Sequence, residues 1–158
     1  MVMFCCGRSK VKVPELPDFN ASRYLGQWYE IARLDHPFER NMQRVVADYS
    51  LRHDGKIQVI NRGYRPDKNR WKEAKAVAIQ TSVKNFLKVY FIPFIGGSYR
   101  IAYVDPDYSI AVVSGGNLRY LWLLARTAHP SAEQIDTMLA EARKLGYDTR
   151  KLIYPEQE

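Results

Sequence analysis

Between residues 27 and 126 apolar and polar positions alternate in short runs, each closed by turn-forming residues, which is the pattern of half-buried β-strands. The runs fall near 27–35, 44–52, 56–64, 70–80, 85–92, 98–105, 109–114 and 118–126. The breakers between them include His53-Asp54-Gly55, Pro66-Asp67-Lys68-Asn69, Pro93 to Gly97, Asp105-Pro106-Asp107 and Gly115-Gly116-Asn117. Eight strands joined by hairpin-length connections predict antiparallel neighbours. The period then changes. Ile135, Met138, Leu139, Ala142 and Leu145 recur at helical spacing, with Ser131 placed to cap the helix and Gly146 to end it. Tyr147 to Tyr154 reads as a short final strand. Ahead of the first strand, Asn20 caps a turn that Gly26 closes. Residues 1–18, with Pro14 and Pro17, form an extended leader to one domain over 19–158.

Composition narrows the partners. Eleven Tyr, six Phe and three Trp favour strands. The net charge of +7 suits anionic partners, but the cations are dispersed and no basic helix or stacking motif accompanies them, so nucleic acid is not expected. Cys5 and Cys6 are adjacent and the only cysteines, which leaves no disulfide framework and no zinc spacing. No run approaches the ~20 apolar residues of a membrane-spanning helix, and Met1 to Gly7 is too short for a signal-peptide core.

Eight antiparallel strands can pair as a sandwich or close as a barrel, and composition does not choose. The residues that choose are Gly26-Gln27-Trp28-Tyr29-Glu30-Ile31-Ala32-Arg33, then Val104-Asp105-Pro106-Asp107-Tyr108, then Leu121-Trp122-Leu123-Leu124-Ala125-Arg126. In this order, followed by a helix, they resemble the lipocalin family, whose first strand opens with Gly-x-Trp and whose last barrel strand ends in Arg. The likeness is stronger to the family's bacterial outer-membrane lipoprotein branch, through Phe38-Glu39-Arg40, Tyr49-Ser50-Leu51-Arg52 and Val59-Ile60-Asn61, and more distant to its apolipoprotein D branch. It departs at the front, where the bacterial branch carries a lipoprotein signal ending in an acylated Cys. The resemblance implies an all-β fold: an eight-stranded antiparallel up-and-down barrel, the helix packed outside and a short terminal strand. It also implies a cell-envelope location, the outer membrane or periplasm, with Cys5 or Cys6 as the residue an acyl anchor would use. The absence of a signal sequence leaves a cytoplasmic location as the alternative.

Strand direction organises the rest. Each hairpin reverses the chain, so the Asp105 turn and Arg126 return to the end that holds Trp28. Gly26, Trp28, Asp105 and Arg126 are therefore expected to form a structural plug, with the Arg126 guanidinium on the Trp28 ring. The opposite end is the mouth, ringed by His36 to Gln43, Arg65 to Asn69, Pro93 to Gly97 and Gly115 to Asn117. Strand parity from Trp28 and Arg126 turns Trp122 and Leu124 inward, and with them Glu30. Alignment with the apolipoprotein D branch implies that Val45, Ala47, Tyr49, Val59, Asn61, Leu87, Val89, Phe91, Tyr99, Ile101 and Tyr103 also face the interior. Ala74, Ala76 and Ala78 repeat at every second position, where small side chains either leave space for a ligand or simply pack.

A mostly apolar lining with a few polar accents suits a small hydrophobic ligand, and the expected partner is a fatty acid or lysophospholipid. Arg40, Arg65, Lys68, Arg70, Arg100 and Arg119 fall in or beside the mouth loops, where they would meet an anionic head. Phe91 to Gly97 is apolar for a loop and suits a membrane contact or a homodimer contact. No catalytic residue, metal or cofactor is expected: His36, His53 and His129 are widely separated and the barrel holds no Cys. The rival reading is a protein-interaction module whose barrel is filled by its own side chains.

Overall fold

In a computed structural model, which describes residues 10–91 and 96–158, eight strands close on themselves. They are β1 (Gly26–Arg33), β2 (Gln43–Leu51), β3 (Ile57–Arg65), β4 (Arg70–Gln80), β5 (Phe86–Phe91), β6 (Gly97–Val104), β7 (Ile110–Ser114) and β8 (Leu121–Ala125). Every neighbour pair is antiparallel, and β1 closes the barrel on β8 from Tyr29↔Ala125 to Arg33↔Trp122. Closure removes the free edges that an eight-stranded sandwich would leave.

Apolar residues sort into two clusters, and the wall of the barrel separates them. Trp28, Tyr49, Val59, Ala76, Ala78, Leu87, Val89, Ile101, Val113 and Leu124 pack inside. Outside, Ile110, Val112, Leu121, Leu123 and Ala125 pack beneath α2 (Ala132–Lys144), whose Met138 and Ala142 are fully buried. This explains the sequence of β7 and β8. A strand covered on both faces reads as a continuous apolar run, whereas β4, which has solvent on one face, alternates. The Ser131 hydroxyl accepts the Gln134 amide proton and Gln134 returns the bond, a capping box. No helix among the described residues is long and apolar enough to cross a membrane.

Residues 10–18 run along the barrel. Val11 and Val13 join the outer cluster, and the buried Asn85 side chain accepts from Leu16 N at 2.9 Å while donating to Pro14 O and Ile101 O. Cys5 and Cys6 lie outside the described residues. At the other terminus the expected final strand is not formed. Residues Thr149–Lys151 make a 3₁₀ turn, and Ile153 makes one bridge, to Arg33. The tail then runs into the gap where β1 and β2 part. Gln157 Nε2 donates to Glu30 O and Val45 O at 2.8 and 3.0 Å, and Arg44 N donates to Glu156 O at 2.7 Å. With one β-bridge, at Arg33, and otherwise scattered bonds to β1 and β2, this segment forms no ladder.

The plug forms as the motifs imply. α1 (Ala21–Tyr24), capped by Asn20, lies across this end, and Trp28 is fully buried with its Nε1 donating to Tyr24 O at 2.8 Å. Arg126 Cζ lies 3.9 Å from the Trp28 ring centroid, and its nitrogens donate to the carbonyls of Tyr108, Gln27 and Arg23. Gly26 has φ +99, and a Cβ there would lie 3.3 Å from Arg126 Nη1. The positive φ favours glycine, and a side chain there would also crowd the Arg126 guanidinium. The Asp105 carboxylate accepts from the backbone N–H of Ser109 and Ile110 and from the Ser109 hydroxyl, which fixes the turn. Because Trp28 has no exposed surface to forfeit, Trp28→Ala is expected to destabilise the fold by about 3–5 kcal/mol, measured by urea unfolding.

Candidate functional site

The interior is the one place where the sequence-derived lining comes together. Tyr49, Val59, Leu87, Val89, Ile101 and Leu124 belong to the inner cluster, with Ala47, Phe91, Tyr99 and Trp122 packed against it. Asn61 pairs with Ala47 and Ala74 and so shares their face, and Ala76 and Ala78 are buried on the same wall. Val45 is buried near the mouth, where its Cγ2 lies 3.2 Å from the position a Cβ on Gly63 would take. Residues 92–95, the middle of the apolar mouth loop, lie outside the described residues.

One expected lining position is on the wrong side of the wall. Tyr103 packs with the outer cluster, because a bulge between Ile101 and Tyr103 places two successive residues, Ala102 and Tyr103, outward and gives the inner position to Val104. Arg100 precedes the inward Ile101 and so points outward, its guanidinium 4.7 Å above the Phe86 ring. At the rim, Arg40 is paired with Asp35 at 3.2 Å and Arg65 with Asp67 at 2.7 Å. Arg70 and Arg119 are exposed and form no salt bridge among the described residues. Lys72, two positions from Arg70 and paired with Gly63, shares its inward parity.

Polar groups inside the barrel are few and grouped. Tyr24, Tyr99 and Tyr49 join their hydroxyls in a chain, with Tyr99 in the middle at 2.5 and 2.8 Å. Burial pushes all three hydroxyls up from their ordinary range, so they remain protonated donors.

The second group was only partly legible. A bulge in β1 between Glu30 and Ala32 turns both Ile31 and Ala32 outward, and Arg33 therefore faces inward beside Trp122. Parity counted from Trp28 finds Glu30 and misses Arg33. Arg33 is 1% exposed. It donates to Glu30 Oε1 at 3.3 Å, Glu39 O at 2.7 Å and Met42 O at 3.3 Å, tying the loop after β1 to the wall. His36 is buried with its ring edge-on to Tyr120 and Trp122. Burial lowers the His36 pKa, keeping the ring neutral. Burial first, and then the nearby Glu39, hold the Glu30 carboxyl well above its ordinary 4.5, with Arg33 opposing.

That shift has a sign for stability. The folded chain retains a proton at Glu30 that the unfolded chain releases near pH 4.5. The contribution favours folding below that pH and is lost as pH rises toward the folded value. Glu30→Gln keeps the shape and removes the titration. It is expected to match the parent at about pH 4 and to exceed it in urea midpoint at about pH 8.

Among the described residues no group of three or more His, Cys, Asp or Glu is arranged to hold a metal ion. The comparisons with known proteins agree with a binding barrel. The lipocalin-like domain family matches residues 19–157. The chain is 44% identical over 157 residues to the outer membrane lipoprotein Blc of Vibrio cholerae, covering 98% of this chain and 91% of that protein. It is 34% identical over 152 residues to temperature-induced lipocalin-1 of Arabidopsis thaliana, covering 90% and 82%. Among solved structures, insecticyanin from the tobacco hornworm Manduca sexta superposes with TM-score 0.74 at 16% identity over 93% of this chain and 85% of that one, a likeness of fold. Sequence, closed barrel and these relatives together show that the chain belongs to the lipocalin-like family, a family of proteins that bind small hydrophobic ligands.

Proposed function

We propose that this barrel carries or stores a single-chain lipid, a fatty acid or lysophospholipid, with the acyl tail inside and the head toward the mouth. The observation that supports it most is the inner wall itself. Val59, Ala76, Ala78, Leu87, Val89, Ile101 and Leu124 form an apolar lining from five strands, and its polar accents are the tyrosine chain, Asn61 and the Glu30–Arg33 region. Burying fourteen methylenes against such a wall yields about 11 kcal/mol gross at ~0.8 kcal/mol each. Association and ordering consume on the order of 4 kcal/mol or more, which leaves micromolar or tighter binding. Arg70, Lys72 and Arg119 at the mouth supply cations to an anionic head.

Residues 19–158 would be the binding domain, with residues 10–18 as a strap laid on it. Likeness to Blc, which is named an outer membrane lipoprotein, supports a cell-envelope location, where a lipid carrier would serve membrane maintenance.

Native mass spectrometry of gently purified protein, followed by extraction, is expected to find a bound fatty acid or lysophospholipid. An empty barrel that also refuses added lysophospholipid and fatty acid would overturn the proposal in favour of protein interaction. Trp122→Ala is expected to weaken lipid binding about tenfold or more while lowering the urea midpoint less than Trp28→Ala. Trp122 is only partly buried, whereas Trp28 is wholly so.

A further inference from the structure

The outer rim of the mouth carries a pattern that a ligand inside the barrel does not explain. Three of the four connections at that end are described throughout: the loop after β1, the β3–β4 turn and the β7–β8 turn. Each exposes, in the loop or at its edge, one large apolar side chain with an arginine within two residues. The pairs are Phe38 with Arg40, Trp71 with Arg70, and Leu118 with Arg119, the apolar members being 65, 52 and 40% exposed. Three such points around a rim define a plane. At the plug end, among the described residues, only the β2–β3 hairpin exposes a comparable side chain, Leu51, and its neighbour Arg52 is held by Asp54.

The charges of these loops are sorted as well. Their acids are engaged within the protein: Asp35 pairs with Arg40 at 3.2 Å, Asp67 with Arg65 at 2.7 Å, and Glu39 faces Arg33 at 3.7 Å. Lys68, Arg70, Lys72 and Arg119 are exposed and form no salt bridge among the described residues. Lys10 adds an exposed cation, since it bridges Asn117 while Val11 N donates to Gly116 O at 3.1 Å. The leader therefore meets the barrel at the mouth before it runs down to the plug.

Exposed apolar side chains among free cations match a surface that offers phosphates above an apolar interior. Tryptophan favours the headgroup level of a bilayer, and each Lys or Arg held near an anionic lipid surface strengthens attachment about fivefold. A second copy of the chain is the poorer occupant. Two mouths related by a two-fold axis would set these cations against the same cations.

We propose that the barrel stands mouth-down on an anionic phospholipid surface, with Phe38, Trp71 and Leu118 among the headgroups and Lys68, Arg70, Lys72 and Arg119 on the phosphates. This rests on the lipid-carrying reading, for which it names the partner surface. A lipid then passes between bilayer and barrel without crossing water.

The test is co-sedimentation of the full chain with vesicles of phosphatidylcholine, alone or with about a quarter phosphatidylglycerol. Only protein seated on a vesicle sediments, whereas protein that has lifted out a lipid stays in the supernatant. The anionic vesicles are expected to bind at least about tenfold more tightly, and high salt to remove the difference. Arg70→Gln combined with Arg119→Gln, verified as folded by circular dichroism, is expected to lose about twentyfold on anionic vesicles. Trp71→Ser is expected to lose about fivefold. Lys56→Gln combined with Lys84→Gln removes the same charge from two hairpins at the plug end and is expected to change binding less than about twofold. Equal losses from the two double variants would overturn the mouth-down orientation. Equal affinity for both vesicles would overturn the role of the cations. A dimer in ultracentrifugation that Trp71→Ser dissociates, with no vesicle binding, would assign the rim to a second copy instead. Absence of vesicle binding by a chain that still carries lipid in native mass spectrometry would overturn the docking surface and leave the carrier reading standing. Docking by a chain whose barrel stays empty would overturn the carrier reading alone.

Discussion

One guanidinium ties the closed end of this barrel together. Arg126, just past the last strand, covers the Trp28 ring of the first and donates to carbonyls from three places in the chain: Arg23 in α1, Gln27 in β1 and Tyr108 in the turn before β7. A barrel must join its first strand to its last, a pairing between residues about a hundred positions apart, and such contacts carry a loop-closure cost. Aromatic stacking and three charge-assisted hydrogen bonds concentrated at that seam offset it. The rest of the structure inherits the result, since α1, the Asp105 turn and the register of β1 against β8 are all referred to the same side chain.

The open end follows a different logic. Among the described residues its cations are divided between those paired with a neighbouring Asp and those that form no salt bridge. Arg40 and Arg65 belong to the first kind, Arg70 and Arg119 to the second. Matched groups hold shape, while unmatched ones hold preference for a ligand that completes them.

Much of this was legible in residue order, because period-two alternation and turn residues are local and strong. The eight strands, the capped helix and the meeting of Trp28 with Arg126 all follow from pattern and family resemblance. What escaped has a single physical origin in two strands. A β-bulge inserts one residue without any mark in composition, and beyond it every inferred face is inverted. The alignment that implies an inward Tyr103 carries no sign of the bulge before it, and parity from Trp28 passes over Arg33, which is 1% exposed. The terminal strand failed differently: Tyr147 to Tyr154 has strand-like residues but finds only Arg33 as a partner.

That partner is part of a seam. Beyond Tyr29 and Val46 the first two strands no longer pair with each other, and the segment from Ile153 to Gln157 lies between them, bonded to both. The circumference at the mouth is thus completed by a strip of chain that is anchored by a handful of bonds and can be peeled without breaking a ladder. While it stays, neither neighbouring strand offers an edge. Were it displaced, the rim would widen on that side alone, and the exposed N–H and C=O groups of β1 and β2 would become a template for another strand. The same few residues of the tail therefore cover two strand edges at once.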